Sequence, residues 1–377
     1  MFFFYKKKER GKQKLKKKKG EKKKEGEKKR NMSKNIIPFI YQDAYDLLLK
    51  DKRFFYVVID GLIGAGKTTL MLKLKDEFEA MIRRCNTKYH VKVIDIPEPE
   101  KLWEKPCSEL TSDFFMSRLP NDIKVSDSDI SPLQLFYRDQ KKYAFAFQVL
   151  AFSTRAMLIH KHMYEIMKEN FEDPYAYTII LGERSVFTDK EIFAGVHTQN
   201  GNFNCVDAAA YSMFHSFLCD PLLPFADVSL YLNVPIPECV RRYIIRGREA
   251  EVKEIDAVSL AAYEGTLLEN YVRKASEDQK RGIKVMNFDW SGDITAEPEQ
   301  CKLRIYELCK SIFDLTGIVN NKEEKLSTME TDAETLTVAE TRKDYDLKGS
   351  STLFLLPNGL TIAFILSIIC FLVFVVC

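Results

Sequence analysis

The stretch IDGLIGAGKTTL, residues 59–70, decides the fold. It contains the pattern G-x-x-x-x-G-K-[ST], it follows the apolar run FFYVVID (54–60), and it precedes the helical pattern TTLMLKLKDEFEAMI. A strand, a glycine-rich loop and a helix in this order are typical of a loop whose N–H groups and helix N-terminus bind the phosphates of ATP or GTP. The residues predicted to bind the nucleotide are Gly61, Gly64, Ala65, Gly66, Lys67, Thr68 and Thr69, with Lys67 at the outer phosphates and Thr68 as a Mg²⁺ ligand.

Four more β-branched runs alternate with helical patterns further along the chain. They are VKVIDI (91–96), YTIILGE (177–183), VSLYLNV (228–234) and IKVMNFD (283–289). The segments between them are long enough for crossover helices, which predicts a mainly parallel five-stranded sheet covered on both faces. One α/β domain, over residues 35–320, is the simplest interpretation.

The two ends of the chain differ in composition from this domain. Residues 6–30 carry 16 Lys or Arg against 4 Glu, so the formal net charge of +3 leaves about −9 for the remainder. A segment with so few apolar groups cannot repay the entropy of ordering, and we predict a basic disordered leader over residues 1–34. Nucleic acid is not expected as a partner of the chain, apart from nonspecific contact by this leader. A polar linker is predicted over residues 321–351.

The stretch LTIAFILSIICFLVFVVC, residues 360–377, contains no charged residue. Eighteen helical residues span about 27 Å, close to the thickness of a bilayer's hydrocarbon core. This predicts a transmembrane tail anchor within residues 352–377 and a domain on the cytosolic face of a membrane, with a buried core helix as the alternative. The leading MFFFY is too short for a signal peptide, and the nine cysteines include no Cys-x-x-Cys pair for zinc.

Charged side chains follow two neighbouring strands at the points where these strands end. Glu98 follows the second strand in IDIPEPEKLW, whereas Glu183, Arg184 and Asp189 follow the third in LGERSVFTDKEIFA. The carboxyl ends of parallel strands meet at one edge of the sheet, where ligands of open α/β sheets bind. A carboxylate there can orient an acceptor hydroxyl and take its proton. Alone, each of these residues also fits a surface charge, but their convergence favours a site.

Together with the helix bearing FQVLAFSTR and the segment RRYIIRGRE, these motifs closely resemble the deoxyribonucleoside kinase family, in order from about residue 54 to residue 289. This family includes deoxycytidine and deoxyguanosine kinases and viral enzymes called thymidine kinases. The resemblance implies a P-loop kinase fold with an arginine-rich lid, and transfer of phosphate from ATP, with Mg²⁺, to the 5′-hydroxyl of a deoxynucleoside in nucleotide salvage. It also implies a homodimer formed through helices. It covers neither the leader nor the tail.

The resemblance implies roles for individual residues. Glu98 matches the base for the 5′-hydroxyl, Glu183 the acidic residue that helps to hold Mg²⁺, and Arg184 the arginine that steers phosphate. The arginines that match the lid are Arg242, Arg246 and Arg248. The remaining nucleoside contacts implied are Trp103, Tyr137 (at the sugar 3′-hydroxyl), Phe147, Gln148, Arg155, Asp189, Phe193 and a glutamate after the lid, assigned to Glu269 with Glu264 competing.

The choice of base depends on one helix and on Asp189. Gln148 and Arg155 are seven residues apart, about two helical turns, so both can face one pocket, and a glutamine amide offers a donor and an acceptor to a base edge. An apolar helix face with a satisfied glutamine is the alternative. Arg155 and Asp189 fall where, as the resemblance implies, deoxycytidine and deoxyguanosine kinases carry a pair near the base. We therefore expect deoxycytidine or deoxypurines, with thymidine tolerated. Glu100 departs from the apolar residue of cellular relatives.

Two other functions remain open at this point. A nucleoside monophosphate kinase such as thymidylate kinase begins with a similar loop, but its acceptor carries a phosphate that Glu98 would repel. A membrane-tethered nucleotide-binding scaffold without catalysis is the second alternative. Against it, the N-K-x-D and D-x-x-G stretches of a GTPase are not found in convincing places.

Overall fold

The computed structural model describes residues 52–121, 129–219, 223–247, 256–292 and 298–318. Its strands are β1 (Phe54–Gly61), β2 (His90–Ile96), β3 (Ala176–Glu183), β4 (Val228–Asn233) and β5 (Lys284–Asp289). They form one sheet in the order β2-β3-β1-β4-β5, and every neighbouring pair is parallel. The predicted fold class is confirmed, and each predicted strand ends within one residue of the observed one.

Helices connect the strands. Helix α1 (Lys67–Arg84) joins β1 to β2. Between β2 and β3 lie α2 (Glu100–Trp103), α3 (Cys107–Leu110), α4 (Asp113–Met116), α5 (Pro132–Arg138) and α6 (Gln140–Glu172). Between β3 and β4 lie α7 (Val186–Thr188), a π-helical turn (Asp189–Ala194), α8 (Gly195–Gln199) and α9 (Cys205–Leu218). Helices α10 (Ile236–Arg246) and α11 (Ala257–Lys280) precede β5, and α12 (Pro298–Thr316) follows it.

Both faces of the sheet are covered by helices. Val57 and Ile59 of β1 pack into a cluster with α1, α11 and α12, whereas Tyr56 and Val58 pack into a second cluster with α6 and α9. Successive side chains of a strand point to opposite faces, so a strand with both faces covered is apolar along most of its length and buried throughout. This explains why all eight residues of β1 are buried.

The sheet register brings three strand ends to one level. Ile59 of β1 lies opposite Glu183 of β3, and Ile96 of β2 lies opposite Gly182. Because the strands are parallel, the loops after β1, β2 and β3 leave the same edge of the sheet side by side. The phosphate loop, Glu98 and the Glu183 turn are therefore neighbours, although they are far apart in sequence.

Among the described helices, none is long and apolar enough to cross a bilayer. The predicted basic leader (residues 1–34), linker (321–351) and tail anchor (352–377) lie outside the described residues, and so does Arg248.

Candidate active site

A cavity of about 80 Å³ opens at this edge of the sheet. The predicted site residues that line it are Gly64, Lys67, Thr68, Glu98, Trp103, Tyr137, Phe147, Gln148, Glu183, Arg184, Asp189, Phe193 and Arg246. They come from the loop after β1, from the segment after β2, from α5, α6 and α10, and from the turn after β3. The fold thus gathers into one cavity residues that span most of the described chain.

The phosphate loop needs glycine at two of its positions. Gly64 and Gly66 have φ angles of 80° and 87°, in the left-handed region that residues with a Cβ rarely adopt. A Cβ at position 64 would lie 2.3 Å from the backbone oxygen of Cys239 in α10. The loop therefore packs closely against α10, and its N–H groups precede the N-terminus of α1, as an anion site requires.

Lys67, the first residue of α1, is buried at the loop. Its Nζ donates to the backbone oxygen of Leu62 at 3.1 Å and lies 3.9 Å from Oε1 of Glu183. Burial, and after it the charge of Arg184, lower the pKa of Lys67 to about 8, against the opposing effects of Glu183 and Glu98. The ammonium group is thus poorly solvated, and an entering anion would stabilise its charged form.

Thr68 and Glu183 have the oxygen chemistry that Mg²⁺ prefers. The Thr68 hydroxyl donates to Oε2 of Glu183 at 2.8 Å, at the entrance of the phosphate loop. Mg²⁺ in phosphate-transfer sites is bound by one or two protein oxygens, with phosphates and waters completing its coordination. The described residues contain no cluster of three metal-ligating His, Cys, Asp or Glu side chains. The pair therefore fits a cation that is shared with a nucleotide.

Glu98 lies between two guanidinium groups. Nη1 of Arg184 donates to both of its carboxylate oxygens, at 2.8 and 3.0 Å, and Nη2 of Arg155 donates to Oε1 at 2.8 Å. Burial alone would raise the pKa of Glu98, but Arg184 and Arg155 outweigh it and hold this pKa well below its usual range. Glu98 is therefore ionised at every working pH.

Arg155 joins three parts of the site through its three nitrogens. Besides Glu98, it donates from Nε to Oδ2 of Asp189 at 2.8 Å and from Nη1 to the backbone oxygen of Glu183 at 2.6 Å. Burial raises the pKa of Asp189, and Arg155 opposes this shift. All of these groups are almost fully buried. Side chains from α6, the end of β2 and the start of the π-helical turn are thus held by one cation.

The backbone after β3 is unusual at two adjacent places. Arg184 has a φ of 62°, and no other non-glycine residue among those described has a positive φ. A short distance along the chain, residues Asp189–Ala194 form a π-helical turn. Left-handed non-glycine residues and π-helical turns both concentrate at functional sites. Here they direct the Arg184 and Asp189 side chains into the same cavity.

Aromatic rings form the walls next to Gln148, which is only 2% exposed. Phe136 and Phe147 stack with their centroids 4.6 Å apart, and Trp103 meets Phe147 edge-on at 5.7 Å. The Trp103 indole is fixed by its hydrogen bond from Nε1 to the hydroxyl of Thr154, at 3.0 Å. An apolar slot with one buried amide suits a planar ring that carries hydrogen-bonding edges.

Some predicted site residues lie outside the cavity lining. Gly61, Ala65, Gly66 and Thr69 belong to the loop or to α1 but do not line the cavity. Arg242 contacts the loop from outside, where it donates to the backbone oxygens of Ala65 and Trp290 at 3.1 and 3.0 Å.

The structure does not bring Glu269, the glutamate assigned to the sugar, to the cavity. Its side chain is exposed and does not line the cavity. The buried stripe of α11 runs through Glu264, Leu267 and Tyr271, and Glu269 follows Glu264 by five residues, which places it on another side of the helix. Glu264 is buried, but it does not line the cavity either.

Besides Glu100, five lining residues were not among the predicted site residues, and none of the five carries a charge. They are Ile63, Leu133, Phe136, Ala151 and Tyr263. Three of them had a signal in the sequence: Ile63 belongs to the phosphate-loop pattern, Phe136 precedes Tyr137, and Ala151 lies one turn after Gln148 on the same helix. Leu133 and Tyr263 had none, because a nonpolar or aromatic residue in a pocket wall has the same pattern as one in the core.

Comparison with known proteins gives a consistent set of similarities. Residues 57–312 match the family described as deoxynucleoside kinase. The chain is 29% identical over 205 residues to deoxycytidine kinase 2 of Gallus gallus, covering 53% of this chain and 68% of that protein. It is 28% identical over 138 residues to deoxyadenosine/deoxycytidine kinase of Bacillus subtilis (strain 168), covering 36% of this chain and 58% of that relative. A solved structure, deoxyadenosine kinase from M. mycoides with bound dCTP, aligns at 20% identity with a TM-score of 0.42, over 67% of this chain and 98% of that one.

Proposed function

The chain belongs to the deoxynucleoside kinase family, and we propose that it transfers the terminal phosphate of ATP to the 5′-hydroxyl of a deoxyribonucleoside in nucleotide salvage. The observation that carries this proposal is the cavity in which an ionised Glu98 and the phosphate-loop Lys67 face a common space beside aromatic walls. A carboxylate beside a triphosphate site suits an uncharged alcohol acceptor. It would repel an acceptor that already carried a phosphate, which disfavours a nucleoside monophosphate kinase.

Glu98 accepts the hydrogen bond of the acceptor hydroxyl and directs its oxygen toward the phosphorus. Because Arg184 and Arg155 hold its pKa low, Glu98 is a weak base. A weak base suffices, since phosphoryl transfer passes through a loose transition state in which the attacking oxygen loses its proton late. Positioning therefore contributes more than basicity at this residue.

On the donor side, the phosphate loop binds the triphosphate and Lys67 exchanges the Leu62 oxygen for a phosphate oxygen. Thr68 and Glu183 would hold Mg²⁺, which neutralises the phosphates and supports in-line transfer. Arg246 lines the cavity from the end of α10 with an exposed side chain, which supports its proposed role at the transferred group. Arg242 and Arg248 complete the proposed lid.

The proposed nucleoside contacts are those of the aromatic slot. Gln148 reads the base edge, Phe147, Phe193 and Trp103 contact the rings, and Tyr137 contacts the sugar. The Arg155–Asp189 pair supports a preference for deoxycytidine or deoxypurines. A 5-methyl group next to this pair would have to displace buried charges, which is costly. The names of the two relatives, which mention deoxycytidine and deoxyadenosine, agree with this preference.

The test is a panel of acceptors assayed with ATP and Mg²⁺ on the full-length chain. It contains the four natural deoxynucleosides and thymidine monophosphate. We expect the highest kcat/KM with deoxycytidine or a deoxypurine and no turnover of the monophosphate. A large preference for thymidine would overturn the base assignment, and a preference for the monophosphate would overturn the acceptor class.

A homodimer is further proposed, formed by α6 and α9, which pack side by side. These helices expose large apolar side chains, among them Met167 and Phe171 on α6 and Met213 and Phe217 on α9. Contiguous exposed apolar surface marks interaction sites. Sedimentation of the chain and of Phe217→Glu tests this, with a dimer expected for the first and a monomer for the second.

Membrane attachment is proposed on the sequence alone, through the uncharged stretch at residues 360–377, with the kinase domain on the cytosolic side. The proposed division of the chain is a leader (1–34), the kinase domain (35–320), a linker (321–351) and an anchor (352–377). Alkaline extraction of membranes from expressing cells tests the anchor. Release of the chain by alkali would contradict insertion.

A further inference from the structure

Glu264 is a fully buried carboxyl group that the proposed reaction does not use. It lies on α11, it has no exposed surface, and its Oε1 accepts the backbone N–H of Ile63 at 3.0 Å. Ile63 is the third residue of the phosphate-loop pattern and lines the cavity. Glu264 itself does not line the cavity. Its carboxyl group therefore contacts the loop without facing the cavity.

The second oxygen of this carboxyl group destabilises the folded protein. Oε2 of Glu264 has no hydrogen-bond partner among the described residues. Burial raises the pKa of Glu264 to about 8, against the opposing effects of Lys67, Arg184 and the Ile63 N–H. At neutral pH the group is mainly uncharged, with one oxygen bonded and one unsatisfied. An unsatisfied buried polar atom destabilises a protein, so a group of this kind in a kinase site calls for a functional explanation.

Glu264 is one of three polar contacts that α11 makes along the start of the loop. Tyr271 donates its hydroxyl proton to the backbone oxygen of Gly61 at 3.1 Å. Lys274 forms an ion pair with Asp60 at 3.3 Å. Residues 264, 271 and 274 lie on the buried stripe of α11. One helix face thus holds three positions of a short backbone segment, residues 60, 61 and 63.

The other side of the loop is held by α10. Gly64 approaches the backbone oxygen of Cys239 so closely that a Cβ would not fit. The Ile63–Gly64 backbone is therefore confined between α10 and α11. On the α11 side, the hydrogen bond from Ile63 to Glu264 is the polar contact nearest to the phosphate-binding N–H groups.

We propose that Glu264 is a positioning residue for the phosphate donor, which holds the Ile63 backbone so that the loop is preformed for the phosphates of ATP. This inference rests on the proposed function. It assigns Glu264 to the donor and not to the sugar, because the side chain does not reach the cavity and its bonded oxygen is occupied by the loop.

The experiment uses three variants of the full-length chain. Glu264→Gln keeps the acceptor oxygen and matches the uncharged carboxyl group. Glu264→Met keeps the length of the side chain and removes its polar atoms. Glu277→Gln changes an exposed glutamate of the same helix and serves as the control. For each we measure KM for ATP, KM for the nucleoside, kcat, the melting temperature, and the affinity for Mg²⁺-ATP by titration calorimetry without acceptor.

Glu264→Met is expected to weaken ATP binding by about three- to tenfold, the range that the loss of one hydrogen bond represents. The KM for the nucleoside and the melting temperature stay close to those of the parent. The melting temperature falls only slightly, because the lost hydrogen bond, which leaves the Ile63 N–H without its acceptor, is partly offset by removal of the unsatisfied Oε2. Glu264→Gln is expected to restore ATP affinity, and Glu277→Gln to leave every quantity unchanged.

Three results would overturn the inference. They are an unchanged ATP affinity in Glu264→Met, a rise confined to the KM for the nucleoside, and a loss of ATP affinity that merely follows a large fall in melting temperature. If Glu264→Met does not fold, Glu264→Asp decides, because the shorter side chain withdraws the carboxyl group from Ile63 and is expected to weaken ATP binding in the same way. Failure of the proposed function is distinct, since the parent chain itself would then phosphorylate no nucleoside.

Discussion

The acceptor and donor ends of the cavity hold their cations in different ways. At the acceptor end, Arg155 and Arg184 bind carboxylates, and every nitrogen of the Arg155 guanidinium is engaged. At the donor end, Lys67 donates to the backbone oxygen of Leu62. Arg242 donates to the backbone oxygens of Ala65 and Trp290 and forms an ion pair with Glu238. The acceptor end is closed by short, buried ion pairs. At the donor end the cations donate mainly to backbone oxygens, with Glu183 3.9 Å from Lys67 and the partly exposed Glu238 beside Arg242.

This difference follows from what each end must bind. An uncharged sugar brings no charge to compensate buried cations, so the acceptor end needs its own carboxylates. A triphosphate brings negative charge, and a cation that rests on a carbonyl oxygen exchanges it for a phosphate oxygen at little cost. The cations of the acceptor end therefore have their final partners before the ligand binds, whereas the cations of the donor end exchange partners when the triphosphate binds. Each prediction below tests this contrast.

The largest effect is expected from Glu98→Gln at the acceptor end. The amide cannot take the hydroxyl proton and directs it less well, so kcat should fall by about 10²- to 10⁴-fold. ATP affinity, measured by calorimetry, should remain within about twofold of the parent because the loop is untouched. An unchanged kcat would exclude Glu98 as the acceptor carboxylate.

Removal of Arg155 should unfold the acceptor end rather than only slow the reaction. Arg155→Met leaves Glu98 and Asp189 buried without one of their counter-charges, and the expected loss is about 3 to 5 kcal/mol in the free energy of unfolding. Urea unfolding at pH 7 measures it. The double variant Arg155→Met/Asp189→Asn removes one stranded charge and should recover part of the loss. A loss below about 1 kcal/mol would show that these ion pairs do not stabilise the site.

The sequence predicted the sheet and the phosphate loop because both rest on local patterns. Five β-branched runs of the right length, with long connections, specify a parallel sheet, and the loop motif specifies a turn that only glycine permits at positions 64 and 66. The position of Glu98 beside Glu183 followed from parallel strands alone. These features depend on periodicity and on short-range sterics, which are visible in a single sequence.

The contacts made by long side chains were not predictable in the same way. Arg155 reaches Glu98 across 57 residues of sequence, and neither its direction nor its three partners can be read from helix spacing. The choice between Glu269 and Glu264 stayed open for a related reason. The length of the segment before α11 left the phase of this helix open, and two glutamates five residues apart on one helix face different sides.

A smaller effect is expected from His197, which lies behind the acceptor wall. Its ring meets Phe136 edge-on with the centroids 5.2 Å apart, and burial lowers its pKa to about 4. In the unfolded chain His197 takes up a proton near pH 6.5, whereas in the folded chain it does so only near pH 4. The stability that comes from its neutral form is therefore fully present above pH 6.5 and is lost as the pH falls toward 4. This shift in the pKa of His197 is expected to contribute about 3 kcal/mol to the free energy of unfolding above pH 6.5.

Urea unfolding of the parent and of His197→Gln at pH 7, 5.5 and 4.5 tests this contribution. Glutamine does not titrate, so the difference in unfolding free energy between the two proteins should narrow as the pH falls. Carboxylates that lose stability in acid do so in both proteins and cancel in the comparison. If the difference in unfolding free energy stayed constant across the three pH values, protonation of His197 would not destabilise the folded protein, and the prediction would be wrong.

The smallest change in stability is expected from Arg242→Met, the donor-end counterpart of Arg155→Met. The backbone oxygens of Ala65 and Trp290 that it releases carry no net charge, and Glu238 is partly exposed, so the loss should stay within about 1 kcal/mol. The KM for ATP should nevertheless rise by about three- to tenfold, because a cation at the phosphate loop is missing. Urea unfolding and steady-state kinetics on the same preparation separate the two quantities. A loss as large as that of Arg155→Met would abolish the contrast, since it would mean that the donor end also depends on its cations to fold.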